Sequence, residues 1–185
     1  MDVSEAGTVP AINSRQDELY QNTAASYGAA IERLAHAYEA DPELRRDLVQ
    51  EIHIGLWRSF AAFDGRCSLR TWLYRIAHNV ATSHVIKQRR SKGAGLVGLD
   101  DVENLPQANS SHEAADRNQD LARLTEFIQQ LKPLDRQVIL LYLEGMDAAS
   151  IGEITGLSAR YVSTKVYRIK EILARRFNPG GRNDD

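Results

Sequence analysis

The stretch Gly145–Glu171, GMDAASIGEITGLSARYVSTKVYRIKE, spells out two short helices joined by a tight turn. Asp147 caps the first, Ile151 and Ile154 give it an apolar side, and Gly152 sits where close packing requires a small residue. Gly156 ends it, because a glycine just past a helix readily takes the left-handed conformation that turns the chain away. Leu157 plugs the corner, and Ser158 offers a hydroxyl as the next N-cap. On the second helix Val162, Val166, Ile169 and Leu173 form one apolar stripe at helical spacing. Arg160, Ser163, Thr164, Tyr167 and Arg168 fall opposite it. This is the punctuation of a helix-turn-helix. From Ser158 to Phe177 six basic residues (Arg160, Lys165, Arg168, Lys170, Arg175, Arg176) face one acid, Glu171. Such an excess suits phosphate, although a solvated helix of an ordinary bundle has a similar composition.

Upstream, the rhythm stays helical and no segment alternates with period two, so the chain is predicted to be all-α. Residues 1–25 are polar and aperiodic, and are expected as a mobile N-terminal arm. A first helix is expected from near Tyr27, through Ile31, Leu34, Ala35 and Tyr38, to Asp41-Pro42. There Asp41 caps a second helix over Glu43–Phe63 that buries Leu48, Ile52, Leu56 and Phe60. Asp64-Gly65 breaks the chain before a third helix from Leu69 to about Arg90. Its expected core side is Leu69, Leu73, Ile76 and Val80, with Thr71, Arg75, His78, Asn79 and Thr82 opposite. Residues 93–118, rich in glycine, serine and acids, read as a flexible linker. Helical pattern resumes at Leu121, Leu124, Ile128 and Leu131, and Pro133 opens a further helix through Leu134, Val138, Leu141 and Tyr142. The expected organisation is therefore two small helical domains, 26–92 and 119–178, joined by the linker, the second carrying the helix-turn-helix, with a tail at 179–185.

The 185 residues carry a formal charge of −2, but that total conceals segregation. Residues 1–50 hold four basic and nine acidic groups, 51–92 eight and two, 93–118 one and five, and 119–185 ten and nine. Phosphate contact depends on such local patches rather than on net charge. The single cysteine, Cys67, excludes an internal disulfide and a multi-cysteine zinc site. The five histidines are scattered, and no glycine-rich phosphate loop or nucleophile motif is present, so no enzymatic activity, cofactor or metal is expected. No apolar run is long enough to insert in a membrane and no signal peptide opens the chain, which points to a cytoplasmic protein.

With both domains placed, the chain resembles the extracytoplasmic-function (ECF, group IV) sigma factors of bacterial RNA polymerase. The resemblance rests on DLVQE (47–51), LWRSFAAFDG (56–65), LRTWLYRIAHNVATSH (69–84), LKPLDRQVILL (131–141) and IGEITGLSARYVSTKVYRIKEIL (151–173), in that order. It implies that the protein binds core polymerase and directs promoter-specific initiation. Asp47, Gln50 and Glu51 would grip the beta-prime clamp helices, and the second domain the beta flap. The loop at Arg66 and the following helix would melt the minus-ten element, with Arg66, Arg70, Arg75, His78, Asn79, Lys87, Arg89 and Arg90 holding a flipped base and the separated strand. Arg160, Ser163, Thr164, Lys165 and Arg168 would read the minus-thirty-five element in the major groove. An anti-sigma factor is the expected regulatory partner. Arg45 and Arg46 stand where many members carry acids. Without the resemblance, a free-standing helix-turn-helix regulator and a helical adaptor that mimics sigma surfaces remain open.

Overall fold

The computed structural model describes the backbone of residues 11–92 and 117–177. Side chains are described from residue 15 to 90, except 89, and from 119 to 177. Among the described residues there are seven helices and no strand: α1 (Ala11–Tyr38), α2 (Pro42–Phe60), α3 (Leu69–Lys92), α4 (Arg117–Gln130), α5 (Pro133–Leu143), α6 (Ala148–Thr155) and α7 (Ala159–Phe177). The linker lies outside the described residues except for its last two, which open α4, and so do residues 1–10 and the tail.

Helices α1–α3 pack as a three-helix lobe around Ile31, Leu34, Leu48, Ile52, Leu56 and Leu73. Asp41 caps α2 as expected, accepting from the Glu43 and Leu44 amides at 2.8 and 3.2 Å, and Leu48, Ile52, Leu56 and Phe60 are its buried residues. This helix stops at Phe60, three residues before its expected end at Phe63.

The start of α1 departs further from expectation. Residues 11–25, anticipated as a mobile arm, are helical. Their polar groups are held by α2: Gln16 donates to the Trp57 carbonyl (2.6 Å), Asp17 accepts from the Trp57 indole (2.7 Å), and the Tyr20 hydroxyl meets His53 Nδ1 (3.1 Å). Partners forty residues away supply what apolar periodicity does not, and local patterning cannot reveal them.

Helices α4–α7 form the second lobe, and the two lobes pack together. Val138, Leu141, Met146, Ile151 and Val162 share one buried cluster with the α1–α3 core, and Ala37 of α1 joins Phe127, Ile128, Ile139 and Ile169 in another. Arg136, almost fully buried, donates to the carbonyls of Gln129 and Leu131 in its own lobe and of Tyr38 in the other, and lies over the Tyr38 ring. Because α5 and α6 cover the far side of α3, that helix is buried on both flanks. Thr71, Tyr74, Ala77 and His78 are enclosed along with Leu73, while Ile76 and Val80 are only half-buried. The expected wheel assumed one lobe alone, and so put Thr71 and His78 on an open face.

Candidate nucleic-acid interface

The helix-turn-helix is built as its sequence indicates. Asp147 Oδ1 accepts from the Ser150 amide at 2.8 Å, which holds the Asp147 carboxyl below its ordinary range. Gly156 adopts φ 77°, and Ser158 Oγ caps α7 through the Tyr161 amide at 3.3 Å. At Gly152 a Cβ would stand 2.6 Å from the Leu157 carbonyl oxygen, so the turn itself, rather than a neighbouring helix, demands the glycine. Val162, Val166 and Ile169 are buried with Ile172, while Leu173 is only partly covered, as the drift of a 3.6-residue period requires.

The outer face of α7 presents Arg160, Ser163, Thr164 and Arg168, all exposed, together with the two large exposed rings Tyr161 and Tyr167. The Ser163 and Thr164 hydroxyls bond back to the carbonyls of Ala159 and Arg160 at 3.0 Å each, leaving oxygen lone pairs as acceptors. Lys165 departs from its expected place on this face. Its Nζ lies 2.5 Å from Asp135 Oδ1 of α5, in a pair whose side chains are 15% and 7% exposed. A buried carboxylate holds this cation, so its first role is to dock α7 on α5.

On the other basic element, Gly65 (φ 77°) turns the 61–68 loop and exposes Arg66, which pairs with Asp64 at 3.0 Å. Asn79, Lys87 and Arg90 are exposed along α3, whereas the side chain of Arg89 lies outside the described residues. Arg70 and Arg75 are half-buried against the second lobe, donating to the carbonyl of Glu144 and, at 2.9 Å, to that of Glu153. His78 is not at the surface. It is 1% exposed, bonded through Nδ1 to the Tyr38 hydroxyl at 2.9 Å, and burial pushes its pKa down to about 3. A neutral, enclosed imidazole holds no phosphate, so in this conformation His78 does not face a strand as expected. Trp72 packs on Phe63 and donates to Ser59, as a core residue should.

Asp47, Gln50 and Glu51 line an exposed side of α2. His84 stands behind them, 3.1 Å from Glu39 and 3.9 Å from Glu51. Trp57, on the same helix, is 40% exposed but tied down by Asp17. No group of metal-ligating residues occurs among the described residues, and none of the described helices is long and apolar enough to cross a membrane.

Two family models match these two lobes: sigma-70 region 2 over residues 23–91 and sigma-70 region 4 over residues 121–173. The chain is an extracytoplasmic-function sigma factor. Among its relatives, the sigma-H factor of Pseudomonas aeruginosa is 27% identical over 146 residues, covering 75% of this chain and 76% of that protein. The ECF sigma-E factor of Haemophilus influenzae is 29% identical over 140 residues, covering 72% and 74%. The fold is shared with two solved structures. RpoE of Bartonella quintana, in complex with the anti-sigma factor NepR, aligns at a TM-score of 0.65 and 19% identity over 87% of this chain and 98% of that one. CnrH, in complex with the cytosolic domain of CnrY, aligns at 0.64 and 19% over 92% and 94%. As a sigma factor the chain serves promoter-specific initiation of transcription, a regulatory task.

The sequence did not single out Glu144, Glu153 or Asp135. Glu144 and the Glu153 carbonyl find their donors in the other lobe, and Asp135 finds Lys165 thirty residues along, separations that no local pattern encodes.

Proposed function

We propose that this sigma factor binds core RNA polymerase in the cytoplasm through Asp47, Gln50 and Glu51 on α2, reads the minus-thirty-five element with α7, and opens the minus-ten element with the 61–68 loop and α3. The observation that carries the reading is the exposed face of α7, where guanidinium and hydroxyl groups project from a capped helix fixed by the Gly156 turn. Arginine offers bidentate donors to guanine edges, and hydroxyls and lysine more often hold phosphate, so Arg160 and Arg168 carry base choice and Ser163 and Thr164 carry register.

Arg66, Asn79, Lys87 and Arg90 start strand capture from exposed positions, with Arg89 beside them in sequence. Arg70 and Arg75 join once the second lobe moves away, because their guanidinium groups now donate to its carbonyls. Extruding a base costs a few kcal/mol, which these charge-assisted bonds offset. The polymerase, through its beta-prime clamp helices and beta flap, holds the separated lobes at the spacing of the two promoter elements and performs the chemistry. An anti-sigma partner acts on the same two lobes, as the anti-sigma factor NepR accompanies a solved sigma factor of the same fold.

The test is run-off transcription with core polymerase. The chain is expected to produce discrete start sites from genomic fragments, and to bind the same duplexes poorly by itself. Specific duplex binding at nanomolar concentration without polymerase would instead identify a free-standing regulator, and the absence of any specific start would identify an adaptor.

A further inference from the structure

Beside the apolar contact between the lobes runs a polar seam centred on Glu144, at the C-terminal end of α5. Its carboxylate accepts from Arg33 Nε and Nη2, both at 2.9 Å, and from the Tyr74 hydroxyl at 3.0 Å. Its carbonyl accepts from Arg70, and the Glu153 carbonyl accepts from Arg75. All the donors belong to α1 and α3, and all the acceptors to the second lobe. Burial pushes the Glu144 carboxyl up, yet the bonds from Arg33 and Tyr74 outweigh it and hold the group below its ordinary value. Burial and the neighbouring carboxylate together raise the Tyr74 phenol to about 12, so it stays a donor at neutral pH. Meanwhile Asp47, Gln50 and Glu51 remain exposed on α2.

We propose that Glu144 is an autoinhibitory latch: by tying Arg33 and Tyr74 to the second lobe it keeps α3 covered, so that carbonyl oxygens occupy the guanidinium groups of Arg70 and Arg75 in place of the melted promoter strand. Carboxylate and carbonyl oxygens are acceptors of the kind a nucleic-acid backbone and base edges present, so the two ligands compete for one set of donors. The polymerase face stays free, and the closed chain docks on the clamp but engages a promoter only from the open fraction. Activity then scales with that fraction, and any partner that prefers the open lobes relieves the latch. This rests on the proposed role of α3 in strand capture.

The test compares wild type with Glu144→Gln, which keeps shape and removes charge, and Arg33→Met, which acts at a side chain 61% exposed and outside the promoter- and polymerase-contact sets. With core polymerase, limiting sigma and a promoter mapped with the wild-type chain, each variant is expected to raise specific transcript yield about three- to tenfold, as a shifted open fraction requires. Binding of the full-length variants to the isolated beta-prime clamp fragment is expected to stay unchanged, and the radius of gyration of the free chain from small-angle scattering to increase. The double variant should gain little over either single one, because both remove the same contact. Specific transcripts at equal or lower yield from folded variants would overturn the latch alone. No specific transcript from any form, wild type included, would remove the sigma reading and the latch with it. Should Glu144→Gln fail to fold, Arg33→Met carries the comparison.

Discussion

Helices α3 and α7 are both basic, both amphipathic, and both assigned to promoter DNA, yet they meet solvent differently. On α7, Arg160, Ser163, Thr164 and Arg168 stand exposed on a lobe whose core lies wholly behind them. On α3, Arg70 and Arg75 are held by carbonyls of the other lobe and His78 is sealed inside. A helix with one packed side shows its function in every conformation. A helix packed on two sides shows it only after one neighbour leaves. On the proposed roles, duplex reading would be built in and strand capture conditional.

The substitution with the largest expected effect asks whether Lys165 belongs to the exposed set or to the packing beneath it. Lys165→Met strands the buried Asp135 carboxylate and should cost about 3 kcal/mol of stability, measured by urea unfolding. The salt slope of promoter binding should barely change, whereas a phosphate contact would reduce that slope by about one.

Gly152→Ala drives a methyl into the Leu157 carbonyl and should cost about 2 kcal/mol. The damage should fall on minus-thirty-five recognition, with clamp binding intact, because α1–α3 do not depend on that turn. Equal loss of both functions in a folded variant would blur the division between the lobes. Arg160→Ala leaves the fold untouched and should relax discrimination at one base pair by about 1–3 kcal/mol, read from binding of polymerase holoenzyme to promoter variants.

A pH titration probes the sealed side of α3. His78 is neutral when folded, with its pKa depressed from 6.5 to about 3, while the unfolded chain takes up a proton near 6.5. The stability this provides is complete above pH 6.5. Below it, as pH falls from 6.5 toward 3, that contribution should be lost progressively. His78→Phe should remove that part of the slope between pH 6.5 and 5, and an unchanged slope would mean that His78 is solvated and α3 open.

Where partners are local, the sequence revealed them. Asp41 capping α2, Asp147, Gly156 and Ser158 punctuating the helix-turn-helix, and Leu48, Ile52, Leu56 and Phe60 facing inward all follow from neighbours within a few residues. What stayed hidden needs partners far along the chain. The early start of α1 depends on Trp57, forty residues from Asp17. The enclosure of His78 depends on Tyr38 and on the covering second lobe, and Lys165 is claimed by Asp135, thirty residues away. Glu144 reaches Arg33 across 111 residues, a separation that no periodicity encodes.

These contacts predict a chain that is closed alone and open on the polymerase. Spin labels at cysteines replacing the exposed Glu18 on α1 and Ala174 on α7, with Cys67 changed to serine, report the distance between the lobes by electron double resonance. One short, narrow distribution is expected for the free chain, and a longer one once core polymerase and promoter are added. The same short distance in a complex that initiates transcription would contradict the account.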